Sequence, residues 1–170
     1  MTPAPAIRIV PATEESLDSI SQLAGVIWRA CYPGILSAEQ IDYMLDRMYA
    51  LNVLRDEITS AGIHYDLLLA DDELIGFASY GLAAPATFKL HKLYLHPEYH
   101  GRGLGALLLR HCEEQAQGLG ARKLVLNVNK NNSKAIATYQ RCGFDIAKSV
   151  VTDIGGGFVM DDYMMEKVVI

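Results

Sequence analysis

His91-Lys92-Leu93-Tyr94-Leu95-His96-Pro97-Glu98-Tyr99-His100-Gly101-Arg102-Gly103-Leu104-Gly105-Ala106 is the stretch on which the fold turns. Its start completes an apolar run, Phe88 to Leu95, that reads as a strand stopped by His96-Pro97. Its end opens a helix, Leu104 to Gln117, with Leu107, Leu108 and Cys112 inward and Gly118 and Gly120 at its close. Between them stand alternating glycines. Glycine lets the backbone approach a bulky anion without Cβ interference, and the unpaired N–H groups and dipole of a helix start attract phosphate oxygens. The segment reads as a pyrophosphate cradle, or as a glycine-rich helix entry that holds nothing. Gly101, Gly103 and Ala106 also satisfy the loose G-x-G-x-x-A dinucleotide pattern. That pattern needs an acidic residue about 20 positions on for the ribose. The next strand carries Lys123, Asn127 and Asn129 instead, and several strands precede the turn. Nicotinamide and flavin binding are set aside.

Working outward, Ile7-Arg8-Ile9-Val10 reads as a first strand ended by Pro11. Thr13 can cap a helix with Leu17, Ile20, Leu23, Ala24 and Ile27 on one face, broken at Tyr32-Pro33-Gly34. Ser37-Ala38-Glu39-Gln40 has capping-box spacing and opens a second helix; Asn52 to Ser60 reads as a short third. Tyr65–Ala70 and Leu74–Leu82 form a hairpin around Asp71-Asp72-Glu73. After the glycine-turn helix come a strand from Lys123 to Val128 and a helix from Ser133 to Arg141 capped by Gly143. Two strands, Asp145 to Thr152 and Phe158 to Val168, join through Gly155-Gly156-Gly157. No repeat or linker interrupts the order, so one mixed α/β domain over residues 1–170 is expected.

Composition narrows the partners. Half of the 170 residues are apolar and a fifth charged, ordinary for a globular chain. No apolar run approaches the roughly 18 residues of a membrane span, and Met1 to Ala6 has no signal-peptide character, so a cytoplasmic location without membrane partners is expected. Net charge −5 argues against nucleic acid. Cys31, Cys112 and Cys142 have neither disulfide-framework nor zinc spacing. The cluster His96-Pro97-Glu98-Tyr99-His100 lacks the H-E-x-x-H arrangement, so no metal is expected.

A second motif follows the glycine turn: Asn131-Asn132-Ser133-Lys134-Ala135-Ile136-Ala137-Thr138-Tyr139-Gln140-Arg141-Cys142-Gly143-Phe144. Tyr139 lies seven residues, two helical turns, after Asn132, so both can face one side; taken alone, Asn132 and Ser133 also read as ordinary helix capping and Tyr139 as core. Together the segments resemble the GNAT acetyltransferases, whose R/Q-x-x-G-x-G/A turn follows the fourth strand and precedes an N-x-x-A-x-x-x-Y-x-x-x-G-F helix. The first motif here is His100-x-x-Gly103-x-Gly105, with His where the family prefers Arg or Gln. The second, Asn132-x-x-Ala135-x-x-x-Tyr139-x-x-x-Gly143-Phe144, matches throughout. The order of elements is similar from Ile7 to the C-terminus.

The resemblance implies a mixed, mostly antiparallel sheet of about seven strands flanked by helices and splayed between the fourth and fifth. It implies acetyl-CoA as cofactor and a primary amine of a small molecule as acceptor, a polyamine by overall layout. A protein N-terminus or lysine is the alternative acceptor, and a non-catalytic acyl-CoA sensor a more distant one. Leu93, Tyr94 and Leu95 would offer backbone to the pantetheine arm, with the Leu95 N–H polarising the thioester carbonyl. His100, Gly101, Arg102, Gly103, Leu104, Gly105 and Ala106 would hold the pyrophosphate. Asn132 would bond the arm, and Tyr139 would protonate the departing thiolate. An alkylamine attacks only when neutral, so a base or a water chain must deprotonate it. Family members often carry that base on the fourth strand, where His91 stands here; His91 also reads as a partly exposed strand residue. Trp28, Arg29, Tyr32, Tyr65 and Tyr80 are possible acceptor linings, or core. Asp161-Asp162 could attract a polyamine, or form a solvated turn. A homodimer is a family-level expectation.

Overall fold

The computed structural model describes residues 1–170. Seven strands form one sheet: β1 (Ile7–Pro11), β2 (His64–Ala70), β3 (Glu73–Ala84), β4 (Thr87–Leu95), β5 (Lys123–Asn129), β6 (Asp145–Gly155) and β7 (Phe158–Val168). Their spatial order is β1-β2-β3-β4-β5-β7-β6, antiparallel throughout except for the β4–β5 pair. The helices are α1 (Leu17–Cys31), α2 (Ala38–Tyr49), α3 (Leu51–Thr59), α4 (Leu104–Gly118) and α5 (Ser133–Arg141). This is the mixed α/β architecture the sequence led us to expect. β1 runs one residue further than expected, through Pro11; it lies at the sheet edge, where a missing N–H costs least.

The sheet separates two cores. Under α1–α3 lie Leu17, Ile20, Ile27 and Trp28 of α1, Met44 and Tyr49 of α2, Leu54 of α3, and Tyr65, Leu67 and Phe77 of the sheet. Under α4 and α5 lie Leu108, Leu109 and Cys112 of α4 with Leu90, Leu124, Leu126, Phe144 and Met165. Fully burying each such aliphatic or aromatic side chain stabilises by about 1.5–3 kcal/mol, so both helical layers are pinned to the partition between them.

The last hairpin is docked as well as turned. Gly156 and Gly157 both have positive φ, as a tight two-residue hairpin loop requires. Tyr43 of α2 lies over them and donates its hydroxyl to the Ile154 carbonyl at 2.7 Å. A Cβ at Gly156 would stand 2.8 Å from the Tyr43 ring. The glycines fix the end of β6–β7 beneath α2.

Candidate active site

β4 builds the centre by parting from β5 while staying paired with β3. It pairs with β5 only from Thr87↔Lys123 to Leu90↔Leu126, and then the strands splay. Toward β3 the register jumps from Tyr80↔Leu90 to Ser79↔Lys92, leaving His91 as the extra residue of a bulge. The His96 N–H donates to the Ile75 carbonyl at 2.7 Å. Antiparallel bonding alternates along a strand, so Tyr94 faces Phe77 within the ladder, whereas the N–H and C=O of Leu93 and Leu95 turn away from β3 into the splay. The expectation that Tyr94 offers its backbone is thereby corrected. Tyr94 contributes its side chain instead, with its hydroxyl 3.5 Å from that of Tyr32.

A cleft of about 1900 Å³ runs through the splay and reaches both faces of the sheet. On the α4 side the glycine turn lines it. Gly103 caps α4 at φ +78°, in the left-handed region that suits glycine, and no side chain caps the helix start. The first bond of the helix runs from the Leu107 N–H to the Gly103 carbonyl, which leaves the preceding N–H groups for a ligand. A Cβ placed on Gly101, Gly103 or Gly105 would meet no protein atom within 4 Å. The room and the donors are those a pyrophosphate needs, so these residues fit the cofactor. Lys134 and Arg141 of α5 add positive charge to the same wall.

His100 lines the cleft, but its Nε2 binds the Leu95 carbonyl at 2.8 Å. A carbonyl only accepts, so Nε2 carries a proton and is spent on β4. The imidazole ties the turn to β4, which leaves the phosphate cradle chiefly to the backbone N–H groups of the turn. Two neighbours keep their side chains out of the cleft. Arg102 folds onto the Glu98 carbonyl at 3.0 Å and over the Tyr99 ring, and Leu104 packs its side chain on the α4 core. Each retains only its backbone for an anion.

α5 brings Tyr139 to the cleft from the cofactor side. Its ring packs edge-on against Phe144, with centroids 5.8 Å apart, and burial raises the phenol above its ordinary value, ahead of the influence of Tyr32. Asn132 caps α5 by accepting from the Ala135 N–H at 3.3 Å and lines the cleft as well. Its capping and site readings coexist.

The opposite side is aromatic. Trp28 stacks on Tyr32 at 4.5 Å and meets Tyr94 at 5.8 Å, and all three line the cleft. Arg29 is exposed and pairs with Asp42, outside it. Tyr80 is the clearest correction among the expected acceptor residues. It lies on the α4 face of β3, 3% exposed, and donates to Asp66 Oδ2 at 3.0 Å, where His111 Nε2 also binds at 2.9 Å. Strand alternation places it on the opposite face from Phe77.

His91 is exposed on the cleft wall, and desolvation followed by the Lys89 ammonium lowers its pKa. Sequence reasoning passed over the group beside it. Lys92, 4% exposed, donates to the Tyr65 hydroxyl at 2.6 Å, to the Met48 carbonyl at 3.1 Å, and to Glu57 at 3.3 Å. Desolvation lowers its pKa while Glu57 opposes the shift. Tyr65 belongs to this network rather than to the open wall. No three His, Cys, Asp or Glu side chains gather closely enough to hold a metal ion, and no helix is long and apolar enough to cross a membrane.

Comparison with known proteins agrees with this geometry. The model of the acetyltransferase (GNAT) family matches residues 23–144. A spermidine N(1)-acetyltransferase of Thermoplasma acidophilum is 31% identical over 159 residues, covering 91% of this chain and 96% of the relative. The crystal structure of the PaiA N-acetyltransferase from Thermoplasma acidophilum, in complex with coenzyme A, superposes with a TM-score of 0.83 at 28% identity, covering 96% of this chain and 99% of that one. The ribosomal-protein-S18-alanine N-acetyltransferase of Escherichia coli shares the fold at a TM-score of 0.73 and 17% identity, with 96% and 94% covered. The chain belongs to the GNAT family of acetyl-CoA-dependent N-acetyltransferases.

Proposed function

We propose that this single-domain enzyme, acting in the cytoplasm, moves acetyl from acetyl-CoA directly to a primary amine of a small molecule, with polyamines the first candidates. One observation carries the reading: a single cleft joins a phosphate-binding helix start to an aromatic chamber across the β4–β5 gap. Two reactants can meet there in a ternary complex without a covalent enzyme intermediate. The spermidine acetyltransferase relative supports a polyamine as acceptor.

In this reading the Leu95 N–H, outside the β3–β4 ladder, donates to the thioester oxygen as it gains charge. His91 takes the proton that the amine loses on attack, either directly or through water. Its lowered pKa keeps the imidazole neutral, and so competent as a base, at neutral pH. Tyr139 donates to the sulfur as the C–S bond breaks. A thiol ordinarily titrates near 8.5 and a phenol near 10, and burial raises Tyr139 further. Complete proton transfer from the phenol is therefore uphill, and its main contribution is a hydrogen bond to the forming thiolate. Asn132 orients the cofactor arm. Assembly as a homodimer accompanies this proposal.

Thiol release from acetyl-CoA across polyamines, amino acids, aminoglycosides and N-terminal peptides tests the reading. Free CoA is expected with polyamines or other small amines. Release only with peptides would move the acceptor to protein. No release with any acceptor, despite a thermal shift with acetyl-CoA, would overturn the enzymatic reading in favour of a sensor.

A further inference from the structure

The two adjacent carboxylates of β7 have different fates. Asp161 points toward the α5 face, is exposed, and pairs with Lys130 at 2.7 Å. Asp162 points the other way, on the side of Met160, which packs against the α1–α3 core. It is 3% exposed, and its Oδ1 has no hydrogen-bond partner. A buried carboxylate oxygen without a donor is costly, and the fold supplies none.

Its place explains what would supply one. Asp162 stands opposite Asn129 on β5 and lines the same cleft as Tyr32, Tyr94 and Tyr139. The charged and titratable groups facing it are Lys89 from β4, Lys130 beyond β5, Asp161 on its own strand and the Tyr32 phenol from α1. None of the cations pairs with it: Lys130 is held by Asp161, and Lys89 forms no ion pair. Burial and then Asp161 raise the Asp162 pKa, so its ionised form lacks support in the protein alone.

We propose that Asp162 holds an ammonium group of the acceptor, making it the contact that selects cationic amines at the aromatic side of the cleft. An alkylammonium brings three N–H donors to a carboxylate that accepts from no protein group, with Oδ2 the oxygen not sealed from the cleft, and its charge stabilises the carboxylate that burial disfavours. The faces of Tyr32 and Trp28 in the same chamber favour a cation further.

This rests on the acetyl-transfer reading above, and its test separates the two. Asp162→Asn and Asp162→Glu are compared with the unaltered enzyme by thiol release, using spermidine and trifluoroethylamine at pH 7.5, where the first is polycationic and the second largely neutral. Loss of one charged hydrogen bond predicts that Asp162→Asn lowers kcat/KM for spermidine about 10- to 100-fold, mainly through KM. The effect on trifluoroethylamine stays within about 3-fold, because a neutral amine makes no ion pair. Asp162→Glu keeps more spermidine activity than Asp162→Asn, and the thermal shift with acetyl-CoA is the same in all three proteins. Equal losses with both amines, or equal damage from both substitutions, would assign Asp162 to packing and overturn the proposal. Unchanged spermidine kinetics in Asp162→Asn would overturn it while leaving acetyl transfer standing. An unaltered enzyme that shifts with acetyl-CoA yet releases no thiol with spermidine would overturn this proposal, and acetyl transfer itself would fall only if the whole acceptor panel were silent as well.

Discussion

Tyr139→Phe removes one oxygen atom, and the structure states what should follow. The Tyr139 ring keeps its edge contact with Phe144 and its place beside the α4–α5 core in either form. The hydroxyl has no hydrogen bond to any protein group, and it is not among the buried polar atoms that lack a partner. Deleting it therefore breaks no protein contact and orphans none, so stability should move by less than about 0.5 kcal/mol, or roughly 2 °C in Tm for a chain of this size. Catalysis should respond quite differently. One preorganised donor to a developing anion contributes about 10²–10³ in kcat, equivalent to roughly 2.7–4 kcal/mol of barrier. The KM for acetyl-CoA should change little, because the donor matters when the C–S bond breaks and not when the thioester binds. The assay is steady-state thiol release at saturating amine, beside a melting curve with and without acetyl-CoA. A kcat within threefold of the unaltered enzyme, at the same Tm and cofactor shift, would remove Tyr139 from the chemistry.

Three further changes probe other parts of the cleft. Gly105→Val places a branched side chain in the first turn of α4, where an added Cβ meets no protein atom; stability should hold within about 0.5 kcal/mol while the KM for acetyl-CoA rises, read by melting and kinetics together, and an unchanged KM would argue against the cradle. Tyr80→Phe takes one of two donors from the buried Asp66 carboxylate, so it should cost about 1–3 kcal/mol of stability and leave the KM of the amine unchanged, whereas a raised amine KM would return Tyr80 to the acceptor groove. Desolvation and Lys89 hold His91 below its ordinary pKa, so kcat at saturating amine should be flat at neutral pH and fall as pH drops through a limb below about 6.5; His91→Asn should abolish that limb, and a limb above pH 7 would place the base elsewhere.

Much of this was legible from residues alone. The glycine turn and the Asn132–Tyr139 helix declare themselves because backbone approach and helix spacing leave few substitutes at those positions. The strands and helices followed from periodicity, and most boundaries agreed within a few residues. Two features were not legible because they depend on pairing between segments far apart in the chain. The bulge at His91 exists only relative to β3, and nothing in Leu90-His91-Lys92 marks an extra residue. Which backbone groups of β4 face the splay likewise depends on ladder phase, which is why Tyr94 was expected to offer backbone and offers its ring instead. Alternation puts Tyr80 and Phe77 on opposite faces of β3 but does not say which helices cover which face. The same ambiguity hid the difference between Asp161 and Asp162, adjacent in sequence and on opposite sides of the sheet.

These misses share one cause, and it bears on how the site works. A β-sheet seals its two faces from each other by hydrogen bonding, so side chains on opposite faces meet only where bonding lapses. Here it lapses once among the central strands, beyond Leu90 and Leu126. Tyr139 reaches the opening from the α4–α5 layer, while Tyr32 and Asp162 reach it from the α1–α3 side. On the reading proposed above, the cofactor's phosphates go to the α4 start and a cationic amine to the unpartnered carboxylate, so the reactants would approach from opposite faces and need not compete for one mouth. The backbone exposed by the lapse, at Leu93 and at the N–H of Leu95, is then available where the proposed reaction seats the acetyl group. Closing the splay by extending the β4–β5 ladder would satisfy more backbone and leave the reaction nowhere to occur; the unpaired half of β4 is the stability this fold forgoes to have a site.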